Sequence, residues 1–237
     1  MPLLTHPIIQ IPLGAAYDQL IAAHYRAAEQ EFHANPSNTT AEEYHGFGVT
    51  HGVLTNDLTV IAQHLDGVKP EDLASDLQQA AARGYFEVFC GLVERAKDQE
   101  GVFDGLGAAC FYGREAFVDF VLPHCVAQNN TFRLKECLRF AGRNLTVAEQ
   151  LIPHALADRD DAAHLANALL VGDYDLSELL RPYSNTRKTR EMLEQVGKGP
   201  GSEAWGWLDH QDNQELAGRL RERIGDRAAP TAKGRKI

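Results

Sequence analysis

The chain has 237 residues, 44% of them hydrophobic and 24% charged, with a formal net charge of −10. A chain of this size buries a sizeable core in one or two domains, and its balance is that of an ordinary globular protein. The negative charge argues against a nucleic-acid backbone or an anionic membrane surface as the main partner.

The charge is uneven. From Arg181 onward there are 12 Lys/Arg and 8 Asp/Glu, against 11 and 25 in residues 1–180. The acidic part favours a basic partner surface or serves as a solubilising face. The first residues lack a basic leader followed by an apolar run, and no stretch reaches the length of a membrane span. The four cysteines (Cys90, Cys110, Cys125, Cys137) have no Cys-x-x-Cys spacing, so buried thiols in a reducing compartment are expected. The expected location is cytoplasmic, with secretion by a route without a cleaved signal left open.

In chain order, an extended stretch from Pro2 to Pro12 precedes a helix over about Ala15 to His33, where Tyr17, Leu20, Ile21, Tyr25, Ala28 and Phe32 recur at helical spacing. Asn35 to Thr40 reads as a loop, and Thr40-x-x-Glu43 as a capping box that starts the next helix. From there a period emerges. The runs Leu77 to Val93, Leu106 to Leu122 and Leu165 to Leu180 share one frame. In it a Leu leads, small or apolar residues follow three and four later, a Gly stands seven later, and apolar pairs come after the Gly. That spacing describes two short helices meeting at a turn that needs a left-handed residue.

Asn56 holds this position in an earlier copy, with Val49, Val53, Val60, Ile61 and Leu65 in register. Gly142 holds it in another, with one extra residue before the later apolar pair. The structural turns are thus Asn56, Gly84, Gly113, Gly142 and Gly172, spaced 28, 29, 29 and 30 residues apart. Leu180 to Leu193, Val196 and Trp205 to Leu208 read as a degenerate closing copy. Ala217 to Ile224 reads as a terminal helix. The domain layout is an N-terminal extended segment and capping helices over 1–45, repeats over 46–208, a terminal helix over 209–226 and a disordered tail over 227–237. The fold class is all-α, a stack of about five to six short helix–turn–helix units with an N-terminal helical cap.

This frame resembles the ankyrin repeat over roughly residues 45 to 208. Leu77, Ala80, Ala81, Gly84, Glu87, Val88 and Leu92 match its Leu, Ala-Ala, Gly and second-helix positions, and Phe117-Val118 and Phe120-Val121-Leu122 match the second helix again. The chain departs from the family in its period of about 29 instead of about 33. It also lacks the Thr-Pro-Leu-His opening; His164 stands one residue away from that slot. The links between repeats are too short for the family's β-hairpin fingers, so turns are expected there.

The resemblance implies a protein-binding module whose concave face is formed by the two residues before each turn. Those are Leu54 and Thr55, Ala82 and Arg83, Phe111 and Tyr112, Phe140 and Ala141, Leu170 and Val171. The expected partner face is therefore Phe111, Tyr112, Phe140 and Leu170, with Arg83 and Arg139 at its polar rim and another protein as the partner.

The sequence carries no phosphate-binding loop, nucleophile elbow or zinc-protease signature. Glu42-x-x-His45 has the spacing of a di-iron ligand pair but no second copy, and Asp161-x-x-His164 is a weak stand-in. His154, Asp158, Asp160, Asp161 and His164 cluster in one link, and His124 neighbours Cys125. No catalytic residue, metal or cofactor is assigned. The alternative is an enzyme whose site forms where the N-terminal helices, with His24, Glu29, Glu31 and His33, meet the repeats.

Overall fold

The computed structural model describes residues 14–142 and 144–228. The expected extended segment at Pro2 to Pro12 and most of the expected tail lie outside them. Among the described residues every regular element is helical, apart from one isolated bridge between Asp161 and Ser184. None of these helices is long and apolar enough to cross a membrane. The chain divides into two compact units between Ala157 and Asp158.

In the first unit a long helix, α1 (Ala15–Ala34), is followed by α2 (Asn38–Thr55) and α3 (Leu58–His64), then by 3-10 turns at Leu65–Gly67 and Pro70–Leu73. Three helix pairs come next: α4 (Ala74–Arg83) with α5 (Phe86–Ala96), α6 (Val102–Phe111) with α7 (Glu115–Ala127), and α8 (Thr131–Ala141) with α9 (Leu145–Ala155). Helix α2 packs on α4, α4 on α6 and α6 on α8, while α5 packs on α7 and α7 on α9. First helices thus line up with first helices and second with second. Leu77, Ala80, Ala81, Leu106, Ala108 and Ala109 are fully buried between the first helices. Small residues there allow the backbones to come close. Helix α1 lies against α2.

The second unit holds α10 (Ala163–Val171), α11 (Tyr174–Leu180), a 3-10 turn at Arg181–Tyr183, α12 (Thr186–Gln195) and α13 (Glu203–Ala228). Helix α10 packs on α11 and α12, and α12 on α13, with Leu165, Leu180, Leu193 and Leu208 at the centre. Arg181 and Arg190 both reach Asp212 of α13, at 2.9 and 2.8 Å. The last helix begins at Glu203, well before the expected Ala217, because Ala204 and Leu208 start its buried face.

Four of the five turn residues are left-handed: Asn56 (φ 56°), Gly84 (78°), Gly113 (62°) and Gly172 (75°). In each, the next residue's N–H returns to a carbonyl five positions back: Asp57 to Gly52, Tyr85 to Ala80, Arg114 to Ala109 and Asp173 to Ala168. This is the bond pattern that closes a helix with its orphan carbonyls satisfied. Gly142 departs from expectation. It is right-handed (φ −57°), because the extra residue in this copy lengthens the turn and Asn144 N–H bonds back to Ala141 instead. A further left-handed turn ends α12 at Gly197 (φ 75°), with Lys198 N–H on the Leu193 carbonyl. It falls 25 residues after Gly172, off the period, which is why the repeat spacing did not mark it.

Helix α2 starts earlier than the Thr40–Glu43 pattern suggests. Ser37 is the cap: its side chain accepts from Thr40 N–H at 3.2 Å, and Thr40 Oγ1 accepts from Ser37 N–H at 2.8 Å. Thr40 therefore plays the third-position role in the box rather than the first.

Candidate functional site

The expected partner face lies on the ends of the first helices. Phe111, the last residue of α6, is 51% exposed. Its ring meets Tyr112 edge-on at 5.0 Å and the Phe140 ring of α8 at 6.5 Å. Phe140 lies over Gly107 of α6, where a β-carbon would touch the ring at 3.5 Å. Three of the expected residues are thus brought together, and Arg139 beside them is exposed. Leu170 belongs to the second unit, where it is exposed beside Val171.

Arg83 is a correction. It is not a rim cation awaiting a partner: its guanidinium binds Asp18 of α1 at 2.7 and 3.4 Å, with the side chain mostly buried. Leu54, Ala82 and Ala141 of the expected concave pairs are buried as well. Helix α1 supplies the Asp18 carboxylate, and close stacking of the first helices buries one residue in three of the five pairs, while Phe111–Tyr112 and Leu170–Val171 have no buried member.

Helix α1 also builds an aromatic and imidazole stack with α2 and α3. Tyr25 lies parallel to Tyr44 and His51, and His24 to Phe47. Tyr25 Oη and His64 Nε2 are 3.0 Å apart, and His64 Nδ1 is 3.2 Å from His45 Nδ1. Glycine makes room for both imidazoles, since a β-carbon on Gly48 would overlap the His64 ring and one on Gly67 the His45 ring. Burial, then the neighbouring His45, lowers the His64 pKa from its usual value. Burial, with Tyr44 beside it, pushes the Tyr25 phenol up to about 12. A phenol held that firmly protonated is a structural hydrogen-bonder, not a base.

A cleft of about 310 Å3 opens beside this stack, between α2 and the start of α4. Glu42, Glu43, Gly46, Phe47 and Thr50 of α2 form one wall; Gly67, Val68, Lys69, Asp72 and Asp76 form the other. Glu42, Glu43 and Asp72 are exposed at the rim, and Lys69 pairs with Glu42 at 3.2 Å. Asp76 is different: it is 5% exposed and its Oδ1 accepts no hydrogen bond. Burial pushes this carboxyl up to about 7, against the opposing hydrogen bond from Thr50. Tyr25, His45 and His64 do not line the cleft.

Asp76 was not among the residues expected to form a site. Its signal was there: Asp76 stands three residues after Leu73 and four before Ala80, on the apolar face of α4. A carboxylate at a core position is a functional-site indicator.

The other histidine and cysteine candidates have structural roles. Glu42 and His45 take separate partners, Lys69 and His64. Asp161 accepts from the backbone N–H and the imidazole of His164, both at 3.0 Å. The Cys125 thiol is buried and its pKa raised, first by desolvation and then by Cys137. Among the described residues no group of three His, Cys, Asp or Glu side chains is placed to hold a metal ion.

Comparison of the chain with protein-family models, with curated proteins and with solved structures gives no match.

Proposed function

We propose that the chain is an ankyrin-like solenoid that binds another protein through the ends of its first helices. The observation that carries this reading is the Phe111–Tyr112–Phe140 cluster, whose central ring is half exposed although it lies on a regularly packed row. Aromatic side chains in such a setting are the usual anchors of protein interfaces. The row also explains why the cluster forms: stacked hairpins repeat whatever position faces outward, so Phe111 and Phe140, 29 residues apart, become neighbours. The excess of carboxylates before Arg181 favours a partner with a basic surface.

The test is a double variant, Phe111→Ala with Tyr112→Ala, compared with the wild type in affinity capture from source lysate. Losing an exposed aromatic anchor weakens binding by about 2 kcal/mol or more, roughly 30-fold. A basic protein retained by the wild type and lost by the variant, at an unchanged melting temperature, is the expected result. Equal capture by both proteins, or unfolding of the variant, places the partner face elsewhere.

A further inference from the structure

The cleft between α2 and α4 has no part in the aromatic face and uses none of its residues, so either reading can fail while the other stands. Its floor carries Asp76, whose Oδ1 is buried with no donor on it. A native protein rarely leaves such an acceptor unmet, because the group has lost water and gained nothing in return. At neutral pH a buried, half-satisfied carboxylate also weakens the fold. The position is thus costly for the fold, yet the residue lines an open cleft.

The surroundings define what would satisfy it. Glu42, Glu43 and Asp72 at the rim make the entrance negative, with Lys69 the only basic side chain among the lining residues and already paired with Glu42. Phe47 and Val68 give apolar walls on either side. A bare divalent ion needs several oxygens converging on one point, and no such group is present among the described residues. An alkyl chain ending in a cation has the matching form: the stem lies along Phe47 and Val68, and the head donates hydrogen bonds to Asp76. The volume is at the small end of ligand pockets, which run from roughly 300 Å3 upward.

We infer that this cleft is a binding site for an organic cation, a primary ammonium or a guanidinium, with Asp76 as the residue that receives the charged head. Two sources offer that chemistry: the side chain of a Lys or Arg in another protein, and a free alkyl amine.

Amide chemical-shift titrations of the full-length protein test the site. The probes are butylammonium, agmatine, and Lys and Arg residues capped at both ends as amides. The capped citrulline amide serves as the uncharged counterpart of arginine. The cations are expected to shift the amides of Thr50, Val68 and Asp76 saturably, and citrulline is not. Asp76→Asn is expected to weaken the response at least tenfold while its remaining amide spectrum stays native. Tighter binding of the capped arginine than of agmatine identifies a protein side chain as the natural ligand; the reverse order identifies a free amine. Equal response to citrulline, an unchanged titration in Asp76→Asn, or shifts produced by magnesium or calcium and not by the amines overturns the proposal.

A second measurement needs no variant. Tyr17 of α1 and Thr50 of α2 interact with Asp76, and Glu42, Glu43, Lys69 and Asp72 are the charged groups that line the cleft with it. Cation binding to the wild type weakens as pH falls from 8 to 6, when Asp76 takes up its proton; affinity that does not change over this range removes Asp76 from the site.

Discussion

Arg114 folds back over Gly84. Its guanidinium carbon lies 3.1 Å from where a β-carbon on Gly84 would stand, and its Nη2 donates to the Ala82 carbonyl at 3.1 Å. The residue after one turn thus closes the helix end at the turn before it. Asn144 repeats the arrangement one hairpin later: its side-chain nitrogen lies 2.8 Å from the β-carbon position of Gly113. Between links, Gln128 does similar work, donating to the carbonyls of Lys97 and Gln99 at 2.8 and 3.2 Å. The α4–α5 and α6–α7 hairpins are therefore joined at both ends by polar ties as well as by the apolar core.

Gly84→Val is expected to destabilise the protein by about 1–3 kcal/mol from backbone strain alone, since a β-branched residue does not hold a left-handed turn. Displacement of Arg114 adds to this. Urea unfolding of Gly84→Val and of Arg114→Ala measures the two parts. Midpoints at or above the wild-type value in Gly84→Val contradict the left-handed cap.

Asp76 makes stability depend on pH in an unusual direction. Its folded pKa of about 7 lies above the unfolded value near 3.9, so the folded state holds the proton more tightly. The stabilisation is complete below the unfolded value and is lost as pH rises through about 7. The full difference is about 4 kcal/mol. Asp76→Asn, which cannot ionise, should match the wild type near pH 4 and exceed it at pH 8. The difference between their unfolding free energies isolates this group from every other titration, and a constant difference across pH 4–8 rules the effect out.

His64 acts with the opposite sign. Its pKa is lowered by burial and by His45, so its contribution is present above the unfolded value near 6.5 and is lost as pH falls through the folded one. A proton-detected titration of the imidazole should find its midpoint below that of an exposed histidine, and His45→Ala should move it upward. A midpoint at or above the exposed value contradicts the buried, neutral ring.

The Arg83–Asp18 pair ties α1 to α4. Because Asp18 is about a third exposed, water screens the pair, and Asp18→Asn is expected to cost only about 1 kcal/mol. The clearer readout is local: amide hydrogen exchange in the first turns of α1 should rise, with α6 to α9 unaffected. Unchanged exchange in α1 means that its packing on α2 suffices to hold it.

Much of the architecture was legible in the residues themselves. Helical spacing gave the hairpins, and the demand of a left-handed turn for Gly or Asn gave their ends, because both are local properties of a few consecutive residues. The cluster of Phe111, Tyr112 and Phe140 followed as well, since a constant period turns sequence distance into spatial adjacency. Gly142 kept the period but not the left-handed conformation, because an extra residue follows it, and Gly197 stands off the period. What no local pattern contained was the position of α1 on α2. That packing converts Arg83 from a surface cation into half of an ion pair and sets Tyr25 against His64. The cleft is tertiary too: Thr50 and Asp76 lie 26 residues apart, and only the packing of α2 on α4 strips water from the carboxylate and brings both residues to one cleft.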